Sequence, residues 1–179
     1  SKTIGGTGYD VGEGVAVDKD NNIILTGVFS GSVSFGGSTL VSNGTSDMFV
    51  VKYTGSGGHL WSKNYGGSST YDVTPRSITT DSNRNIVVTG TICDSVSFGG
   101  STLSSNGSYD IFVVKLSPSA SHIWSKRFGV LWDDSGKAVT TDSSGNVFLV
   151  SDFYEAVDFG GGMLYSPGGI NTSVAKFTP

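Results

Sequence analysis

One stretch of twenty residues occurs twice in this chain: VSFGGSTLVSNGTSDMFVVK at residues 33–52 and VSFGGSTLSSNGSYDIFVVK at residues 96–115. The two copies start 63 residues apart and align without a gap. A weaker third copy, VDFGGGMLYSPGGINTSVAK, begins at Val157. Self-similarity at a fixed period is the signature of repeat architectures, so we interpret the chain as three repeats of about 60 residues.

The flanking sequence repeats with the same spacing. HLWSKNYGG at 59–67 matches HIWSKRFGV at 122–130, and VAVDKDNNIILTG at 15–27 has counterparts that begin at Ile78 and Val139. The whole of 1–179 is therefore predicted to be one repeat array, with repeats at about residues 1–61, 62–124 and 125–179.

Each repeat carries four strand signals, rich in Val, Ile and Phe and bounded by Gly, Asn, Asp and Ser. Apolar residues at consecutive positions, as in Ile23-Ile24-Leu25, indicate strands buried on both faces. No period of 3.6 residues is long enough for a helix. We predict an all-β fold of propeller-like blades, each with four antiparallel strands. The extra length at 30–46 and 94–109 predicts an additional hairpin or loop. In the first repeat the strand signals are Val15–Asp18, Ile23–Gly27, Phe49–Tyr53 and His59–Lys63.

Composition excludes several classes of protein. A hydrophobic content of 36% and an aromatic content of 11% are too high for a disordered segment. The net charge of −4 opposes a nucleic-acid partner, and no apolar run is long enough to insert into a membrane. With one Cys and two His, no metal site or cofactor is expected. Catalytic motifs are also missing, so we predict that the protein is not an enzyme.

The repeated motifs resemble a known family. D-x-x-x-N-I-x-x-T-G, V-S-F-G-G-S-T-L, D-x-F-V-V-K and L-W-S-K resemble the seven-bladed β-propeller (SBBP) repeats of bacterial and archaeal proteins. The resemblance implies a non-enzymatic structural module that is extracellular or at the cell surface. A weaker similarity, in the Trp that follows a Gly turn, is to quinoprotein propellers. It leaves a fragment of such an enzyme as a remote alternative.

An aromatic residue followed by an aspartate recurs between the fourth strand of one repeat and the first strand of the next. Such a pair suits carbohydrate, because the ring covers an apolar sugar face and the carboxylate accepts hydroxyl protons. A lectin-like, glycan-binding propeller is therefore the alternative function, and a plain interblade turn is the structural alternative. The residues are Tyr9, Asp10, Tyr71, Asp72, Trp132 and Asp133.

Other recurring residues have both structural and functional interpretations. Asp18, Asp20 and Asn22 alternate like calcium ligands, but a five-residue loop favours an Asx turn. Trp61 and Trp124 are expected to be wedged between blades, with the alternating His59 and His122 exposed. Three sequons make N-glycosylation possible, although Asn-Gly is also a preferred hairpin turn. They begin at Asn43, Asn106 and Asn171.

The two ends of the repeat pattern predict self-association. Ser1, Lys2, Thr3 and Ile4 match the end of a fourth strand, whereas Val174, Ala175, Lys176 and Phe177 match a third strand whose fourth is missing. Propellers have about four to eight blades, so three blades are expected to belong to a larger ring, filament or chain. The expected partners are other copies of the chain, whose first strand completes the last blade, or adjoining repeats of a longer chain.

Overall fold

The computed structural model describes residues 1–67 and 73–179, and every regular element in those residues is a β-strand. The strands are β1 (Asp10–Val17), β2 (Ile23–Phe29), β3 (Ser32–Val33), β4 (Leu40–Val41), β5 (Asp47–Tyr53), β6 (His59–Tyr65), β7 (Val73–Thr80), β8 (Ile86–Ile92), β9 (Ser95–Val96), β10 (Leu103–Ser104), β11 (Asp110–Leu116), β12 (His122–Phe128), β13 (Ser135–Thr141), β14 (Val147–Asp158) and β15 (Met163–Phe177).

The long strands form three antiparallel sheets, one for each repeat. Blade 1 has the strand order β1-β2-β5-β6, blade 2 has β7-β8-β11-β12, and blade 3 has β13-β14-β15. The innermost strand of blade 2, β7, contacts the innermost strands of both neighbours, β1 and β13. The prediction of an all-β fold with propeller-like blades is confirmed. In the described residues the three blades do not close into a ring, and no helix there could span a membrane.

Two apolar clusters hold the blades together. The cluster between blades 1 and 2 includes the fully buried Ile24, Met48 and Phe112, and the cluster between blades 2 and 3 includes Ile111 and Leu149. Each fully buried side chain of this size stabilises the fold by about 1.5–3 kcal/mol relative to an exposed one. Consecutive apolar residues of a central strand, such as Ile111 and Phe112, therefore pack against the blades on opposite faces of the sheet, as the sequence predicts.

The predicted extra hairpin is present in the first two blades. Strands β3 and β4 form one two-stranded sheet, and β9 and β10 form the other. Each hairpin buries a phenylalanine of the FGG motif, Phe35 or Phe98, against its own blade. In the third repeat the same region instead extends β14 and β15 into one long hairpin, with an irregularity between Tyr154 and Ala156.

Some predicted boundaries differ from the structure. The first strand of blade 1 begins at Asp10, five residues before the predicted Val15. The sheets extend over residues 10–65, 73–128 and 135–177. The boundaries at 61/62 and 124/125 therefore fall inside β6 and β12, because the sequence motif and the sheet are out of phase.

Candidate functional site

The inner strands carry a β-bulge at the same position in every blade. The extra residue is Glu13 in β1, Arg76 in β7 and Lys137 in β13. A bulge re-aims its side chain and is common next to binding sites. The guanidinium of Arg76 lies 3.9 Å from the Glu13 carboxylate and remains about half exposed.

A polar groove opens between blades 2 and 3, beside the Arg76 bulge. Its volume is about 250 Å³. Every residue that lines this interblade groove has a hydrogen-bonding side chain, in contrast to the largely apolar grooves on blade 1. The lining residues are Thr74, Arg76, Thr91, Tyr109, Asp133, Asp134 and Ser135.

Asp134 is the buried acid of the groove. Burial raises the pKa of its carboxyl to about 6, against the hydrogen bonds that it accepts from the backbone N–H groups of Tyr154 and Val130. The nearby carboxylates of Asp110 and Asp133 raise it further. The guanidinium of Arg127 forms an ion pair with Asp110 and donates to the carbonyl of Gly129, so its hydrogen bonds do not go to Asp134. The carboxyl of Asp134 is therefore half ionised near pH 6 and mostly ionised at neutral pH.

The predicted aromatic–aspartate residues lie at the surface where the structure describes them. The rings of Tyr9 and Trp132 are 66% and 54% exposed, which leaves both accessible to a ligand. Trp132 lies beside Tyr154, with the ring centroids 6.2 Å apart. Asp133 is exposed and lines the interblade groove. Tyr71 and Asp72 lie outside the described residues, and carbohydrate binding stays a prediction.

The predicted equivalence of Asp10 and Asp133 is wrong by one residue. Asp10 is the first residue of β1 and accepts a hydrogen bond from the N–H of Gly6, four residues earlier. The residue that repeats this contact is Asp134, which accepts from Val130. Asp134 follows Asp10 by 124 residues, which is the sum of the 63- and 61-residue repeat spacings, whereas Asp133 follows it by 123.

The sequons lie in and beside hairpins. Asn43 is exposed, and its side-chain amide donates to Asp47 at 3.3 Å. The amide of Asn171 donates to the hydroxyl of Ser166. Asn106 is exposed, and its backbone N–H donates to Asp110. Glycosylation at these three positions stays a prediction.

The turn between the first and second strands has the hydrogen bonds of an Asx turn. The Asp18 carboxylate accepts from the backbone N–H groups of Asp20 and Asn22 and from the Asn22 amide. It also pairs with the buried ammonium of Lys52, 2.8 Å away. Burial acts to raise the pKa of Asp18, but these partners outweigh it and lower the pKa to about 2. Its oxygens are therefore fully engaged within the protein.

The recurring tryptophans lie between blades, as predicted. The indole N–H of Trp61 in blade 1 donates to the carbonyl of Pro118 in blade 2 at 3.1 Å. Trp124 packs against Phe177 of blade 3, with ring centroids 6.3 Å apart. The histidines differ from the prediction, because His59 and His122 are half-buried rather than exposed.

The glycines of the FGG motif explain why the histidines are covered. A Cβ at Gly37 would lie 2.3 Å from Cε1 of the His59 ring. The preceding Gly36 has a φ of +107°, a backbone conformation that residues with a Cβ rarely adopt. The ring of His59 is also within hydrogen-bonding distance of Ser62, with 3.3 Å between Nε2 and Oγ. FGG and H-x-W therefore recur together because they pack on each other.

Among the described residues, those predicted to contact another chain have a free strand edge at β15 and no strand pairing at residues 1–4. Blade 3 has three strands, and β15 forms its outer edge with Val174 at 71% exposure. Ser1, Lys2, Thr3 and Ile4 belong to no strand. Lys2 instead lies over the ring of Tyr53, with 5.0 Å from Nζ to the ring centroid. Ala175 and Phe177 are buried in the cluster between blades 2 and 3, whereas Lys176 is exposed.

Ile4 nevertheless occupies the position that ends a fourth strand. The matching residue of blade 1, Tyr65, packs on Phe98 of the next blade at 5.4 Å, and Phe128 packs on Phe159 at 4.9 Å. Ile4 packs in the same way against the cluster of blade 1 that contains Phe35. Residues 1–4 thus follow the course of a fourth strand.

An apolar groove of about 590 Å³ lies on the open face of blade 1. Ile23, Leu25 and Tyr53 form its wall, and Gly55 lies at its rim. Gly55 is the counterpart of Pro118, which accepts the Trp61 hydrogen bond at the next junction. The groove therefore lies where, at the junction of blades 1 and 2, the Trp61 side chain of the preceding blade is bound.

Comparison with known proteins agrees with the fold. Residues 123–152 match the profile of the β-propeller repeat family (SBBP). The chain is also 27% identical over 177 residues to an uncharacterized WD repeat-containing protein of Acanthamoeba polyphaga mimivirus. That match covers 82% of this chain and 13% of the viral protein. The blades and the profile match together define a repeat protein of the β-propeller class.

Sequence reasoning missed two features of the site. Arg76 was not recognised because a bulge becomes visible only in the register of two strands. The cross-strand pair of Thr74 and Thr91 was missed for the same reason. A comparison of the repeats position by position would have shown that blade 1 has Val11 and Val28 at these two places.

Proposed function

We propose that this chain is a non-enzymatic structural module that assembles head to tail, with the first residues of one copy completing blade 3 of the next. The observation that supports this most directly is the complementary pair of unpaired elements. In residues 1–67 and 73–179, blade 3 has three strands, and residues 1–4 follow the course of a fourth strand without a sheet. Adding a strand to an open edge satisfies the unpaired backbone groups of both.

The internal blades give the register of the added strand. In blade 1, β5 pairs with β6 so that Val50 lies opposite Lys63. The counterpart of Val50 in β15 is Val174, because each lies opposite the fourth residue of the second strand of its blade, Thr26 or Val150. The counterpart of Lys63 in the repeat is Lys2. Lys2 of one copy is therefore expected to lie opposite Val174 of another.

The exposed faces of the terminal blades also fit this arrangement. Ile78 and Val139 on the inner strands of blades 2 and 3 are buried against the preceding blade. Their counterpart in blade 1, Val15, is 62% exposed. Stacking blade 1 of one copy on blade 3 of the next would bury Val15 against a face that includes Val174. If the rotation between successive copies closes after a whole number of copies, the assembly is a ring, and otherwise it is a filament.

The non-enzymatic and extracellular parts of the proposal have separate support. The similar proteins are described as propeller and WD repeat proteins, without a catalytic activity. The motifs resemble those of secreted and surface-attached proteins. Protease treatment of intact cells of the source organism tests the location: a surface protein is degraded, whereas an internal protein is protected.

A disulfide cross-link tests the register directly. Lys2→Cys and Val174→Cys are combined in a Cys93→Ser background and oxidised. Directly opposed residues have Cβ atoms about 4.5–5.5 Å apart, close enough for a disulfide after a small adjustment. The expected product is a covalent series of chains on a non-reducing gel. The control pairs Lys2→Cys with Thr172→Cys, two residues out of register on the same edge, and is expected to cross-link poorly. Equal cross-linking of both pairs, or none, would contradict the proposal.

Carbohydrate binding is a second candidate function, favoured by the exposure of Tyr9 and Trp132. Exposed rings next to carboxylates suit the apolar faces and hydroxyl groups of sugars. A glycan array with the wild-type chain and the Trp132→Ala variant tests it. Signals that the variant loses would support binding through the ring, and the absence of any signal from the wild-type chain would contradict it.

A further inference from the structure

We propose that the interblade groove between blades 2 and 3 binds a neutral, polyhydroxylated ligand of about one sugar ring, held by Thr74, Thr91, Arg76 and Asp133. This inference rests on the second candidate function and assigns it to a particular site. The groove of about 250 Å³ lies just below the usual range of about 300–1,000 Å³ for sites of drug-sized ligands, which suits a smaller molecule.

Five polar side chains of the groove have no hydrogen-bond partner in the part of the chain that the structure describes. Thr91 is more than nine-tenths buried, and its hydroxyl makes no hydrogen bond within residues 1–67 and 73–179. The hydroxyl groups of Thr74, Tyr109 and Ser135 and the carboxylate of Asp133 also have no hydrogen-bond partner in that part of the chain. Thr74 and Ser135 are half-buried, and Tyr109 and Asp133 are exposed, so these groups are free to form hydrogen bonds with solvent or with a ligand.

The architecture of a blade does not require hydroxyl groups at these positions. Thr74 lies opposite Thr91 on neighbouring strands, so both side chains face the same side of the sheet. The same pair in blade 1 is Val11 opposite Val28, and the backbone pairing is unchanged. The repeat therefore folds with two valines here. In blade 2 the exchange for threonine adds two hydroxyl groups where the groove opens.

The charges of the groove favour a neutral ligand. Asp133 and Asp134 would repel an anion, and the Arg76 guanidinium would repel a cation. A polyhydroxylated molecule can use both kinds of charge, because its hydroxyl groups donate to Asp133 and accept from Arg76. The Tyr109 ring at the edge of the groove offers an apolar surface for the C–H face of a sugar ring.

The test uses a panel of neutral monosaccharides, with binding detected by saturation-transfer NMR and measured by calorimetry. The decisive variant is Thr74→Val with Thr91→Val, which copies the valine pair of blade 1 and is expected to fold normally by circular dichroism. Because it removes two hydrogen bonds to the ligand, it is expected to weaken binding about tenfold or more. The matched control, Thr79→Val with Thr140→Val, changes two threonines of the inner strands outside the groove and should bind like wild type.

Two outcomes would overturn the inference. If the wild-type chain binds no sugar of the panel, both the groove and the second candidate function are wrong. If the Thr74→Val and Thr91→Val variant binds as tightly as wild type while Trp132→Ala does not bind, the chain binds sugar through its aromatic loops and the groove is wrong. Binding that is lost in the threonine variant and kept in its control supports the groove.

Discussion

Lys52 at the end of one strand forms a buried ion pair with Asp18 in the turn between two other strands, with 2.8 Å between Nζ and the carboxylate oxygen. Blade 2 repeats the pair with Lys115 and Asp81 at 2.9 Å. The lysine of the F-V-V-K motif and the aspartate of the strand-one turn therefore recur together because each neutralises the other.

Lys52→Met is expected to destabilise the protein by about 3 kcal/mol, because a buried carboxylate loses its counter-charge. Asp18 still accepts hydrogen bonds from the backbone and the side chain of Asn22 in this variant. The expected loss of stability is therefore at the low end of the range for breaking a buried ion pair. Urea unfolding measures the change, with the exposed Lys126→Met as control. Equal midpoints for the two variants would show that the ion pair does not contribute to stability.

A double-mutant cycle should detect the contact between Gly37 and His59. Gly37→Ala alone is expected to cost about 1 kcal/mol, because the new methyl group must displace the half-buried ring. In a His59→Ala background the same change should cost less. Thermal unfolding of the four proteins gives the coupling, and additive effects would mean that the ring adjusts without cost.

Asp134 should make the protein less stable as the pH rises. Its pKa is raised to about 6 in the folded chain, so the unfolded carboxyl ionises more readily than the folded one. The carboxyl therefore lowers the stability progressively between about pH 4 and pH 6, and the loss levels off above the folded pKa. The neighbouring charges are those of Asp110, Asp133 and the ion-paired Arg127.

The Asp134→Asn variant isolates this effect. We expect the wild-type melting temperature to fall from pH 4.5 to pH 7.5 by more than that of the variant. Asp18, whose pKa is lowered to about 2, acts only below about pH 4 and does not interfere in this window. Parallel pH profiles for the two proteins would show that Asp134 titrates normally.

Trp124→Ala should destabilise the protein by about 3 kcal/mol, the lower end of the range for core Trp truncations, because Trp124 is only half-buried against Phe177. Trp132→Ala is the matched control, since Trp132 is 54% exposed and should change stability little. Calorimetric melting compares the two. Similar losses in both variants would mean that Trp124 does not hold the blades together.

Much of the fold follows from the repeat itself. The recurrence of F-V-V-K and L-W-S-K, the Asx turn at Asp18 and the apolar run at Ile23–Leu25 predict the strands and their stacking without any coordinates. Physical reasons also link these motifs, since each is buried against the next blade or against another motif of the same repeat.

The groove could not be predicted in the same way. The position of Arg76 depends on a one-residue bulge, and the Thr74–Thr91 pair depends on strand register. The aromatic–aspartate motif is one residue out of register at Asp133, because a pattern of two residues does not fix the alignment of the repeats. Register is set by long-range pairing, which a local pattern does not contain.

The molar mass in solution tests the central proposal of strand exchange most directly. Light scattering after size-exclusion chromatography is applied to the wild-type chain over a range of concentrations, and to a Val174→Pro variant, whose β15 edge can no longer accept a strand in the same way. Strand exchange predicts multiples of 18.5 kDa for the wild-type chain, and a shift toward the monomer for the variant. A wild-type chain that stays at 18.5 kDa at every concentration would contradict it.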